Sequence, residues 1–198
     1  RLRELLNASR LLDEGVVVTE IIAASPNPDT HYIQIDKGMS DGVYLGQAVL
    51  DAHGLMGQVI GVNNLTSRVL LISDSRHAVP VQVNRNGLRA IAYGVGAVNY
   101  LELGSVPATY DIKVGDLLVS SGLGGRFPEG YPVGRVSDIL IEPGESFAQV
   151  KIKPEAQLNR SKLLLIVFQA KSNSSLETRE KLPIPSSAST ESEANNAH

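Results

Sequence analysis

Between Gly15 and Phe168 the apolar residues alternate with a period of two, and no stretch in that span carries the spacing of an amphipathic helix. That pattern confines the chain to antiparallel β architecture, because parallel strands need long crossover connections, usually helical, and none is available. Strands are expected at Val16–Ala23, Tyr32–Asp36, Ala48–Leu50, Leu55–Val62, Arg68–Ser73 and Val79–Val83. Six more are expected at Leu88–Tyr93, Asn99–Leu103, Leu117–Ser120, Val133–Ile141, Phe147–Lys153 and Leu163–Phe168. Turn chemistry punctuates them at Pro26 and Pro28, Asp41–Gly42, Asn63–Asn64, Asn86–Gly87 and Pro143–Gly144. Short strands at near-even spacing describe all-β barrels or sandwiches.

An internal echo narrows this further. YIQIDKGMSDGVYLGQAVLDAHGLMGQVIGV, residues 32–62, aligns by pattern with YLELGSVPATYDIKVGDLLVSSG, residues 100–122, followed by GYPVGRVSDI, residues 130–139. Both read strand, acidic turn, a valine–glycine corner, an apolar pair, a glycine loop and a final valine-bearing strand. Two similar units fit the length, so the expected fold is two tandem small six-stranded antiparallel β-barrels. The first barrel is expected over 15–84 and the second over 85–169.

The ends differ in character from this middle. RLRELLNASRLLDE sets Leu2, Leu5, Leu6 and Leu12 at helical spacing, which predicts a short N-terminal helix over 1–14. Alone it is too short to be stable in water, so it either ends a longer self-associating coiled coil or lies across a barrel mouth. Residues 170–198 are rich in Ser, Glu, Asn and Pro and carry few large apolar side chains. Such composition cannot offset the entropy of ordering, and a disordered tail is expected there.

Composition excludes several functions. A net charge of -3 provides no basic excess for phosphate backbones, so nucleic acid is not an expected partner. Cysteine is absent, which rules out disulfides and thiolate chemistry and suits an oxidising compartment. The longest apolar run, Leu163 to Phe168, falls far short of the ~20 residues of a membrane helix. The chain begins at Arg1 without a signal-peptide pattern, and it reads as a piece of a longer protein.

No catalytic set emerges from the motifs. Gly122-Leu-Gly124-Gly125-Arg126-Phe127 has Phe where a dinucleotide loop needs its third glycine, and no helix follows to receive a phosphate. Tandem barrels invite comparison with chymotrypsin-like serine hydrolases, for which Ser120 and Ser121 beside Gly122 are the candidate nucleophiles, with His31, His53 and His77 as candidate bases. The sequence around them lacks the motif of such enzymes, and a degenerate or cryptic hydrolase is the alternative function. Metal-ligand spacings are missing, and Asp36, Asp41, Asp51, Asp111 and Asp116 read as turn residues that bond the local backbone. Neither a metal nor a cofactor is expected.

What remains is interaction. In SSGLGGRFPEGYPVGRV, residues 120–136, glycines and prolines shape a rigid loop, and Gly122, Gly124, Gly125, Phe127, Pro128 and Tyr131 are the expected partner-binding residues. Phe127 has two equal readings, an outward aromatic anchor or an inward plug.

Three segments, IDKGMSDGVYLGQAVLDAHGLMGQVIGV, LTSRVLLISD and DIKVGDLLVSSGLGGRFPEGYPVGRV, resemble the extracytoplasmic region of the MreC family of bacterial rod-shape-determining proteins. The resemblance covers Leu2 to Phe168 and is most specific at SGLGGRFPEGYPVG. It implies a periplasmic domain of a single-pass inner-membrane protein, with a coiled coil leading into two six-stranded barrels. The implied function is a non-enzymatic scaffold of the elongation machinery that maintains cell shape. Implied partners are a class B penicillin-binding transpeptidase, MreD and MreB directly or indirectly, and further copies of the chain in a dimer or filament. Within this likeness the first barrel borrows a late strand, with 163–168 as the candidate.

Overall fold

The computed structural model describes residues 15–169. The expected helix with Leu2, Leu5, Leu6 and Leu12, and the expected tail, lie outside the described residues. Twelve strands are present: β1 Gly15–Ala24, β2 Tyr32–Ile35, β3 Ala48–Leu50, β4 Leu55–Val62, β5 Ser67–Leu71 and β6 Ala78–Val83. The rest are β7 Arg89–Gly94, β8 Leu101–Pro107, β9 Leu117–Ser120, β10 Pro132–Leu140, β11 Phe147–Pro154 and β12 Leu163–Phe168. They form two closed barrels with every pairing antiparallel, ringed β1-β12-β3-β4-β5-β2 and β10-β11-β8-β7-β6-β9. Closure leaves no unpaired edge, the usual hazard of a small sheet.

The boundary expected after residue 84 is corrected. Strand β6 pairs with β7 and β9, so the second barrel begins at Ala78, and Asn86–Gly87 is the turn of a hairpin inside it. That strong turn signal resembles a break between units, whereas the true junction at 72–77 contains neither Gly nor Pro. The second barrel ends with β11, and β12 returns to pair with β1 and β3 of the first. The second barrel is therefore an uninterrupted unit inserted between β5 and β12 of the first.

The two rings share one plan. When β12 takes the role of β6, and β1 to β5 take those of β7 to β11, the strand order of the first ring reproduces that of the second. The internal echo in the sequence is the trace of this repeat.

Alternation fixes which side chains fill the barrels. On β11, Ala148, Val150 and Ile152 are buried while Phe147, Gln149, Lys151 and Lys153 face out. On β12, Leu164 to Val167 are all buried, which explains a run without alternation. The buried side chains of both barrels join in one contiguous hydrophobic cluster, with Ile35, Leu55, Val69, Leu118, Val133 and Ile152 among its members.

Candidate functional site

Two buried aspartates fasten the barrels together. Asp74 lies on the short connection from β5 to β6, and its carboxylate accepts from the His31 backbone N–H at 2.8 Å and from the Arg76 backbone N–H at 2.9 Å. Arg76 also reaches it through Nε at 2.8 Å and Nη2 at 2.9 Å. The Arg76 guanidinium holds this carboxyl far below the usual carboxylate range, against the opposing effect of burial. The His31 ring continues the network, with Nδ1 2.8 Å from Ser73 Oγ and Nε2 donating to the Pro28 carbonyl at 3.0 Å. From the second barrel, Gly94 and Gly96 donate their N–H groups to the carbonyls of His77 and Ser73. The approach is so close that a Cβ on Gly94 would lie 2.0 Å from the Asp74 carbonyl oxygen.

Asp51 makes the second joint. It sits in the turn after β3 and accepts from the N–H groups of His53 at 2.8 Å and Gly54 at 2.9 Å. Its other oxygen accepts from Gln157 N–H and Ser161 Oγ–H, both at 2.7 Å, on the segment that carries the chain from β11 back to β12. Reading this aspartate as a local turn residue captures two of its four bonds. The other two partners are more than a hundred positions downstream, and no periodicity or motif announces them.

The loop from Ser120 to Pro132 closes over the first joint. Ser120 is buried, its hydroxyl donates to the Pro128 carbonyl, and its Oγ accepts from the Tyr131 N–H at 3.0 Å. Ser121 Oγ accepts from Leu123 N–H at 3.4 Å. Gly122 has φ +70°, a left-handed turn that a side chain would strain, and it starts the 3₁₀ turn Leu123–Gly125. Gly124, Gly125 and Arg126 are exposed, Gly122, Pro128 and Tyr131 half-buried.

Phe127 takes the inward reading: it is 2% exposed, and the expectation of an outward partner-binding anchor at this position is corrected. Its ring packs against His77, with centroids 5.8 Å apart. The glycines around it bend the backbone enough to turn the ring back toward the junction. His77 is itself buried, and neither ring nitrogen has a hydrogen-bond partner among the described residues. Burial pushes it down to about 4, with the Arg126 charge acting in the same direction and Asp74 opposing.

This geometry does not make a hydrolase. The Ser120 hydroxyl is committed to a backbone carbonyl, and no histidine bonds to either serine hydroxyl among the described residues. No group of His, Asp and Glu that could hold a metal ion occurs among the described residues. No helix among them is long and apolar enough to cross a membrane.

The accessible features are surfaces. Where Phe127 turns in, Leu123 turns out and is about half-exposed, and the same loop contributes Gly125 and Arg126 to a hollow of about 410 Å³ that Tyr44, Leu45 and Gln58 of the first barrel also line. Tyr44 meets Phe168 edge-to-face at 6.2 Å. Sequence reasoning missed Tyr44 and Leu45, since adjacent apolar residues in a turn carry no signal of their exposure.

Two nested closed barrels joined through Asp51 and Asp74, with exposed apolar side chains beside the joint, define a tandem-barrel protein with accessible surfaces. The family model described as "Rod shape-determining protein MreC, barrel core" matches residues 21–168, and the chain belongs to that family. It is 47% identical over 173 residues to the cell shape-determining protein MreC of Escherichia coli strain K12, covering 87% of this chain and 47% of that protein. The chain spans about half the length of the curated relatives it matches. A solved MreC structure at 58% identity superposes with a TM-score of 0.82, covering 85% of this chain and 96% of that one. MreC from Pseudomonas aeruginosa, 57% identical, gives 0.76 with 78% and 100% covered. The same fold, at 18% identity and a TM-score of 0.62, occurs in a Helicobacter pylori complex of MreC with a penicillin-binding protein, covering 80% of this chain and 100% of that one.

Proposed function

We propose that this chain is the periplasmic barrel region of a non-enzymatic, membrane-anchored scaffold that maintains bacterial cell shape. In this reading it holds a class B penicillin-binding transpeptidase within the elongation machinery, reaches MreD and MreB directly or through that assembly, and associates with copies of itself. The observation that carries the reading is the pairing of family membership with two barrels locked by Asp51 and Asp74, a body built to hold bound proteins at a fixed spacing. The penicillin-binding protein in the Helicobacter pylori complex supports the choice of partner.

The exposed part of the loop, Leu123 to Gly125, belongs to the binding face, together with Tyr44 and Leu45 across the hollow. Phe127 supports that face from below. Surface plasmon resonance against the soluble region of a class B transpeptidase tests this. Leu45→Asp and Leu123→Asp, both exposed in the free chain, are expected to weaken binding by about 1–3 kcal/mol without lowering the melting temperature. Unchanged binding in both variants would move the face elsewhere. No binding by the unaltered chain would remove the transpeptidase as a direct partner.

A further inference from the structure

The outer surface of the second barrel carries a charge arrangement that the proposed function does not use. At one end of the β10–β11 hairpin, Arg135 and Lys153 are register partners, two cations directly opposite each other. Like charges in that position destabilise a sheet, so the pair is a local conflict of the kind that marks function. Arg135 is balanced by Glu155 at 2.8 Å, while Lys153 and Arg160 have no ion pair among the described residues. These three cations line a hollow of about 600 Å³ that also includes the exposed Val98. At the opposite end the hairpin tip exposes Leu140, Ile141 and Phe147, the last 55% accessible. Glu142 and Glu145 flank them, also without an ion pair among the described residues. Glu102 nearby is matched by Lys151, its register partner, and leaves the two tip glutamates as the unbalanced charge.

Resting on the self-association in the reading above, we infer that the acidic, apolar tip of this hairpin docks in the basic hollow of a second copy. Several features favour that occupant. The two ends lie along one hairpin, about 20 Å apart at the rise of a strand, so a single copy cannot bring its own tip to its own hollow. Tip against tip would face glutamates with glutamates, and hollow against hollow cations with cations, which excludes a symmetric pairing at either end. Tip against hollow matches opposite charges and lays Phe147 and Ile141 along the apolar stems of Lys153 and Arg135. Because the two surfaces are different and lie on one hairpin, two copies running antiparallel close as a reciprocal pair, and copies that engage one end each propagate as a chain.

Charge reversal separates this contact from every other route to association. The unaltered 198-residue chain is expected to grow in sedimentation coefficient with concentration at about 0.01 M salt, where attraction reaches ~30 Å, and to lose that growth at about 1 M, where it reaches ~3 Å. The double variant Glu142→Lys, Glu145→Lys and the double variant Lys153→Glu, Arg160→Glu are each expected to lose the growth, with association weakened about tenfold or more. Mixed one to one, they are expected to recover it, since each then presents the complement of the other's altered end. Recovery also shows that both variants are folded. If the unaltered chain grows but the variants grow equally, or if the mixture fails to recover, the hairpin contact is wrong and self-association stands. If the unaltered chain never grows, both fall.

Discussion

At the scale of single residues, His77 couples the junction to pH. A folded-state value of about 4 against the usual 6.5 means that the unfolded chain binds the proton more readily than the folded one. Its contribution to stability is therefore complete above pH 6.5, declines as pH falls toward 4, and is constant below. Across that window the loss is about 3 kcal/mol. Chemical denaturation at intervals from pH 7.5 to 4 is expected to reveal this slope, and His77→Leu to flatten it. A slope unaltered by that substitution would assign the pH dependence elsewhere. The same residue shows the reach of sequence reading: a histidine in a Ser-Arg-His stretch looks like a turn residue, and the packing of Phe127 against it comes from a loop fifty residues downstream.

Asp51 belongs to this scale as well. All four of its partners are donors, so Asp51→Ala strands four polar groups and is expected to cost about 3–5 kcal/mol. Asn is a partial remedy: its carbonyl oxygen still accepts from His53 and Gly54 and its NH2 can donate to the Ser161 hydroxyl, but it points a donor at the Gln157 N–H. Urea unfolding should find the Asn variant destabilised, though less than the Ala variant, and an Asn variant as stable as the unaltered chain would contradict the bonding described.

At the scale of elements, the strands were legible and their assignment to barrels was less so. Alternation in segments such as Phe147–Lys153 records one buried and one wet face, which is a local property. Which strand neighbours which depends on contacts far apart in the chain, and this is why the Asn86–Gly87 turn reads as a boundary although β6 belongs to the second barrel. The 120–134 loop shows the same division. Its glycines state that the backbone turns sharply, but whether Phe127 ends up inside or outside depends on the contact offered by His77 on the connection from β5 to β6. The joints were not legible at all, since aspartates in turns bond their neighbours whether or not they also bond a distant segment.

At the scale of the whole molecule, β12 decides whether the first barrel exists. Its removal leaves β1 and β3 as facing open edges and exposes an apolar core, while the second barrel keeps all six strands. A chain ending after Lys162 is expected to retain protected amides over 78–154 in hydrogen exchange and to lose protection over 15–71. Protection lost in both regions would mean that the second barrel depends on the first for its stability.

The late position of β12 also imposes an order on biogenesis. A chain made from its N-terminus presents β1 to β5 as an incomplete sheet while all of β6 to β11 is still being synthesised, so the inserted unit can finish folding before the unit that encloses it. During that interval the gap between β1 and β3 is a ready template for any extended segment, including β12 of a neighbouring nascent chain, and exchange of that strand between molecules is the misassembly to which this topology is most exposed.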